Sequence, residues 1–142
     1  MIARLLLVLV LLIVPPVHAA GEPVIVVVGD SISAGYGLAP GQVWVALLEA
    51  RLKAERFPHR VINASISGDT TAGGRTRLPA LLAAHKPAVV VIELGGNDAL
   101  RGQPLAATRA NLDAMTQAAQ SAGARVLIPG MKLPPNYGPV YV

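Results

Sequence analysis

Val24-Ile25-Val26-Val27-Val28 is an unbroken run of β-branched residues, followed at once by Gly29-Asp30-Ser31-Ile32-Ser33. A run that is apolar on both alternating faces suits a strand in the middle of a parallel sheet, covered above and below. Gly29 ends it and opens a polar turn. A second run of the same kind, Ala88 to Leu94, ends in Gly95-Gly96. Two shorter candidates are Arg60 to Asn63, between the two, and Arg125 to Ile128, the last stopped by Pro129-Gly130. Helical patterns lie between. From Gln42 to Phe57, Trp44, Leu47, Leu48 and Leu52 repeat at helical spacing. Leu78 to Ala84 reads as a short helix with Pro79 in its first turn. Pro104 to Ala122 is the clearest helix, with Leu105, Leu112, Met115 and Ala119 on one face and Gly123 as its C-terminal stop. The order β-α-β-α-β-α-β predicts an α/β fold, a doubly wound parallel sheet with right-handed crossovers. No internal repeat, low-complexity tract or linker interrupts it.

In such sheets ligands bind beyond the carboxyl ends of the strands. Three loops then matter: Gly29-Asp30-Ser31-Ile32-Ser33, Ala64-Ser65-Ile66-Ser67-Gly68-Asp69-Thr70-Thr71, and Gly95-Gly96-Asn97-Asp98. Each combines glycine with Ser, Asp or Asn. A serine hydroxyl is a poor nucleophile until a base takes its proton, and the tetrahedral intermediate needs donors aimed at its oxyanion. Ser31, just past a buried strand, is placed for the first role. The backbone N–H groups of Ser31 and Gly68 and the side-chain amide of Asn97 are candidates for the second. The plain alternative is that Gly-Asp-Ser is only a good turn and that Asp30 and Asp98 merely cap the helices that follow.

These residues resemble a known family. Gly29-Asp30-Ser31-Ile32-Ser33 is similar to the GDSxS block of SGNH (GDSL) hydrolases. Asn63 to Thr70 is similar to the block carrying the oxyanion glycine, and Glu93-Leu94-Gly95-Gly96-Asn97-Asp98 to the GxND block. Leu78-Pro79-Ala80-Leu81-Leu82 and Leu133-Pro134-Pro135-Asn136-Tyr137-Gly138 bring it nearest the periplasmic thioesterase I/lysophospholipase L1 and arylesterase branch. The resemblance runs from residue 24 to residue 138 and rests on three blocks in order, each after an expected strand. It implies a flavodoxin-like three-layer α/β/α fold, a carboxylic ester or thioester as the small-molecule partner, and neither metal nor cofactor. It implies Ser31 as nucleophile and oxyanion donor, Gly68 and Asn97 as further donors, and Asp30 as a loop-ordering residue. Leu100, Leu133 and Tyr137 are candidates for apolar contact with the acyl chain.

The sequence departs from that pattern in one respect. The family carries its catalytic Asp and His in a C-terminal DxxH block, and this chain of 142 residues has no such block. Its three histidines are His18, His59 and His85. His59 precedes the second expected strand and His85 the third, at the edge of the sheet opposite Ser31. The final strand and helix of the implied fold are absent as well. The expectation is therefore a hydrolase domain over residues 20–142, incomplete at its C-terminus, whose activity belongs to a longer parent. The alternative is an inactive, truncated acyl-binding pseudoenzyme.

Ahead of that domain, Leu5 to Val14 is wholly aliphatic, preceded by Arg4 and followed by Pro15-Pro16-Val17-His18-Ala19. This is the pattern of a signal peptide over residues 1–19, cleaved after Ala19 or Ala20, and it predicts a periplasmic or secreted protein. The run is shorter than the roughly 20 apolar residues a membrane span needs, although an uncleaved anchor is the competing reading. The chain has no cysteine, which excludes disulfides and a cysteine-linked lipid anchor. The net charge is +4, but the basic residues are scattered and aromatics make up only 4%, so stacking platforms for nucleic acid are lacking.

Two other site chemistries compete on the same sheet. Gly35-Tyr36-Gly37-Leu38-Ala39-Pro40-Gly41 looks like a dinucleotide loop but carries one residue too many, and no Lys or Arg lies between Gly29 and Gly41. Asp30, Asp69 and Asp98, on converging loops, could instead hold a magnesium ion.

Overall fold

A computed structural model describes residues 21–132. The expected signal segment, and Leu133 and Tyr137, lie outside the described residues. Four parallel strands form one sheet: β1 (Val24–Gly29), β2 (Arg60–Asn63), β3 (Val89–Glu93) and β4 (Arg125–Leu127), in the order β2-β1-β3-β4. Every residue of β1 is buried, as its uniform β-branched composition requires of a strand covered on both faces.

Side chains alternate across that sheet, and the helices divide accordingly. Val24, Val26, Val28, Val90, Ile92 and Leu94 face α3 (Thr71–His85) and α5 (Leu105–Ser121), which contribute Leu78, Leu82, Met115 and Ala119. Ile25, Val27 and Val91 face the other way, onto Val45, Trp44 and Leu52 of α2 (Trp44–Ala54). The sheet is therefore doubly wound. The chain moves from β1 outward to β2, then returns past β1 to β3 and β4. The reversal lies at the carboxyl ends of β1 and β3, the place where such folds hold ligands. Gly29 is in register with Glu93, so the two strands end level and their loops start from the same height.

Three local features differ from the sequence reading. Ser31–Ala34 and Gly96–Leu100 form short helices, α1 and α4, where loops were expected. The third helix begins at Thr71, seven positions before the expected start at Leu78, so Pro79 lies inside it and not in its first turn. Thr70 explains the early start: its Oγ1 accepts from the Gly73 N–H and caps the helix. Within the first turns, Gly74 packs tightly against Leu94, the residue that follows β3. A Cβ there would lie 2.3 Å from Leu94 Cδ1.

Candidate active site

The site is built from the ends of β1, β2 and β3. Directly after Gly29, Asp30 caps α1 by accepting the Ile32 N–H on Oδ1 at 3.0 Å. Ser31 is the first residue of that helix and is half-buried. Only glycine fits at 29, since a Cβ would lie 2.6 Å from Ser33 Cβ and Oγ. The missing side chain lets α1 fold straight back onto the strand end.

The second loop presents Gly68 in the left-handed region, with φ of 81°, which a side chain would strain. Its carbonyl accepts from Arg101 Nη2 at 2.8 Å. Behind it stands Arg77, from α3, with about four-fifths of its side chain out of water. Its guanidinium pairs with Asp69 Oδ2 at 2.7 Å and donates to the carbonyls of Ala64 and Gly29. One cation thus ties the ends of β1 and β2 to the loop that carries Gly68. Arg77 was among the scattered basic residues in the sequence and carried no periodic or motif signal.

The third loop closes the arrangement. Asn97 Nδ2 donates to Asp30 Oδ2 at 2.9 Å and to the carbonyl of Asp69 at 2.9 Å. One amide therefore joins the residue before Ser31 to the residue after Gly68. Ser31, Gly68 and Asn97 are brought together at one edge. Asp98, next in sequence, does not cap its own helix. Its carboxylate instead takes the Thr71 N–H at 2.9 Å and the Thr71 hydroxyl at 2.5 Å, so it satisfies the first N–H of α3, the helix that Thr70 caps.

The two competing chemistries do not fit this geometry. Each aspartate is committed to protein donors: Asp30 to Ile32 and Asn97, Asp69 to Thr70 and Arg77, Asp98 to Thr71. Among the described residues no three acidic or imidazole groups gather as metal ligands would. The glycine-rich stretch 35–41 follows α1 and does not form the turn between a strand and its helix, as a dinucleotide loop must. His59 precedes β2, and His85 ends α3 just before β3, so both lie at the amino-terminal edge, away from Ser31.

Beside α1 is a cavity of about 310 Å³ lined by Ile32, Trp44, Glu93, Pro129, Gly130 and Met131. Leu100 is not part of its lining; it is 54% exposed at the end of α4. The sequence reading missed Trp44, Glu93 and Met131 as site residues. A signal existed for Glu93, an ionisable residue closing an otherwise aliphatic strand. Burial pushes its carboxyl above the ordinary value of 4.5, opposed by the hydrogen bond from Ser33 and reinforced by the charge of Asp30.

Comparison with known proteins agrees with this architecture. The family model of the GDSL-like Lipase/Acylhydrolase family matches residues 27–141. Over 123 residues the chain is 60% identical to "Esterase TesA" of Pseudomonas aeruginosa, covering 87% of this chain and 61% of that protein. Over 124 residues it is 43% identical to "Thioesterase 1/protease 1/lysophospholipase L1" of Escherichia coli, covering 87% of this chain and 58% of that one. Among solved structures, the psychrotrophic esterase EstA from Pseudoalteromonas sp., in a form inhibited by monoethylphosphonate, superposes with a TM-score of 0.79 at 44% identity. That match covers 84% of this chain and 66% of the other. The chain thus spans about three fifths of the length of these curated relatives. With the model matched across both of its glycine-bounded strand ends and the fold shared, the chain belongs to the GDSL-like lipase/acylhydrolase family.

Proposed function

We propose that the protein is a serine ester hydrolase that cleaves carboxylic esters or thioesters through an acyl-enzyme on Ser31. The observation that carries this reading is Asn97 Nδ2, held between the loop of Ser31 and the loop of Gly68. In the proposed reaction the Ser31 oxygen attacks the substrate carbonyl as its proton passes to a base from outside the described residues, the role imidazole fills in the assay below. The tetrahedral intermediate then breaks its bond to the leaving alcohol or thiol, which takes that proton, and water later hydrolyses the acyl–Ser31 ester. The Ser31 and Gly68 N–H groups and the Asn97 amide receive the oxyanion. Both hydrogens of that amide are engaged, so donation to the oxyanion exchanges an existing acceptor for a new one. One of those acceptors is the Asp30 carboxylate, so the position is already shaped for a negatively charged partner. The apolar cavity beside α1, walled by Ile32, Trp44 and Met131, suits the acyl chain. Leu100, Leu133 and Tyr137 remain candidates for contact farther out. The esterase and thioesterase names of the relatives support the same substrate class. The aliphatic run 5–14 supports export, and among the described residues no helix is long and apolar enough to cross a membrane.

Hydrolysis of p-nitrophenyl butyrate, with and without added imidazole as an external base, tests the proposal. Turnover above that of the same solution without protein is expected to vanish in Ser31→Ala under both conditions. Asn97→Ala should slow it strongly, since one oxyanion donor is worth about 3–4 kcal/mol. Full turnover by Ser31→Ala overturns the assignment. A second reading, an acyl-binding protein without turnover, is favoured by one observation: both described histidines lie at the far edge of the sheet. Binding of octanoate with no Ser31-dependent turnover, even with imidazole, supports that reading instead.

A further inference from the structure

Glu93 has no part in the chemistry above, yet it is one of the most confined groups near it. It ends β3, is 7% exposed, and lines the cavity with Ile32, Trp44 and Met131. Its Oε2 accepts from Ser33 Oγ at 2.7 Å. Ser33 is fully buried, and its oxygen in turn accepts from Trp44 Nε1 at 3.0 Å. A serine hydroxyl has one proton to give. With Trp44 donating to it, that proton is directed at Glu93, and the three side chains form a single directed relay. The other oxygen of Glu93, Oε1, is buried and has no hydrogen-bond partner among the described residues.

A carboxyl is a costly choice for this position. Accepting one hydrogen bond from Ser33 could be done by an amide or a carbonyl without the desolvation of an ionisable group. What the position controls is α1. A helix of four residues cannot hold itself, because nucleation costs more than so few hydrogen bonds return. α1 is held instead by what grips Ser33: Glu93 and Trp44 at its hydroxyl, and Asn63 Nδ2 at its carbonyl, at 2.7 Å. Ser31 lies two residues earlier in the same turn.

We propose that Glu93 is a positioning residue that fixes the helix of Ser31 through Ser33 and, through the Trp44 end of the same relay, ties that helix to the wall of the acyl cavity. The inference rests on Ser31 being the nucleophile and the cavity taking the acyl chain. The relay itself can be read without turnover. Asp30 is the ionisable neighbour of Glu93 that adds to the effect of its burial.

Trp44 is the only tryptophan of the chain, so its fluorescence reports on the relay without a label. Across a titration from acid to neutral pH its emission should follow one proton, with a midpoint above 4.5. That transition should be absent in Glu93→Gln and in Ser33→Ala, and present in Ser31→Ala and Asp30→Asn. With p-nitrophenyl butyrate, Glu93→Ala should lower kcat about ten- to a hundredfold with little change in KM, and Glu93→Gln should restore most of the loss. A Trp44 transition that persists in Glu93→Gln overturns the relay, as does a Glu93→Ala effect confined to KM. Should Glu93→Ala fail to fold, the fluorescence of Glu93→Gln still decides. If turnover proves independent of Ser31, the functional reading fails, while the fluorescence arm continues to test the relay.

Discussion

Removing the Asp98 carboxylate should unlock the start of α3, and the size of the effect can be worked from its contacts. Asp98 is 3% exposed and Thr71 is fully buried. Oδ2 takes the Thr71 N–H at 2.9 Å, while Oδ1 takes the Thr71 hydroxyl at 2.5 Å and, more loosely, the Thr108 hydroxyl at 3.4 Å. Thr71 Oγ1 also accepts from Asn111 Nδ2 at 3.1 Å, so the cluster joins α3, α4 and α5. In Asp98→Ala two donors of Thr71 lose their acceptor. Each buried donor left unpaired costs about 1–3 kcal/mol, and the hydroxyl, which can rotate, falls at the low end. The sum is about 2–4 kcal/mol, a large share of the roughly 5–15 kcal/mol of a typical domain. With an m-value of about 2 kcal/mol/M, the urea midpoint should drop by about 1–2 M at unchanged slope. Thr71→Val removes the hydroxyl and keeps the shape. Combined with Asp98→Ala it should cost less than the sum of the two, by about 1 kcal/mol or more. A shift in stability below about 0.5 kcal/mol for Asp98→Ala, or strict additivity in the double variant, would refute the role of Asp98 as the acceptor that holds the first residue of α3.

Two further outcomes follow from the same geometry. Because the folded state raises the affinity of Glu93 for its proton, the native chain binds more protons than the unfolded one above about pH 4.5. Stability should therefore fall as the pH rises through the window between that value and the raised folded value, then level off; Glu93→Gln should flatten this slope in thermal melts. Gly68→Ala has room for its Cβ, whose nearest neighbour is Arg101 Nη2 at 3.8 Å, so only the φ of 81° resists it. It should cost about 1 kcal/mol of stability in urea titrations and lower the Ser31-dependent rate by turning the N–H away.

Much of this fold was legible in the sequence because its strongest elements are its most uniform. β1 and β3 are nearly all Val and Ile, and α5 carries Leu112, Met115 and Ala119 on one face. The convergence of three loops followed from topology alone. The helices α1 and α4 were not legible, since four or five residues are too few for a period to show. The first turns of α3 were hidden by Gly73 and Gly74, whose use is steric closeness, of Gly73 to Asp69 and of Gly74 to Leu94 and Met115. At the candidate site, the meeting of the loops that carry Ser31, Gly68 and Asn97 could be expected from the sequence. Arg77 and the Ser33–Glu93 pair could not, because they meet at separations of eight to sixty residues, and pairing at such distances leaves no local pattern. The alternative reading of Asp98 as a cap of the helix that follows it gives way to a contact with Thr71, 27 positions upstream.

The empty place at residue 29 has a wider consequence. A Cβ there would meet Ser33 at 2.6 Å and Glu93 Oε2 at 2.9 Å, the two ends of one hydrogen bond. The bare backbone is therefore a clearance shared by the reactive turn and its buried anchor. Directed evolution aimed at a new acyl preference would find this position closed to every residue with a side chain, while the cavity wall at Ile32, Trp44 and Met131 stays open to exchange. Libraries built on the wall and sparing the strand end should keep a larger fraction of folded members.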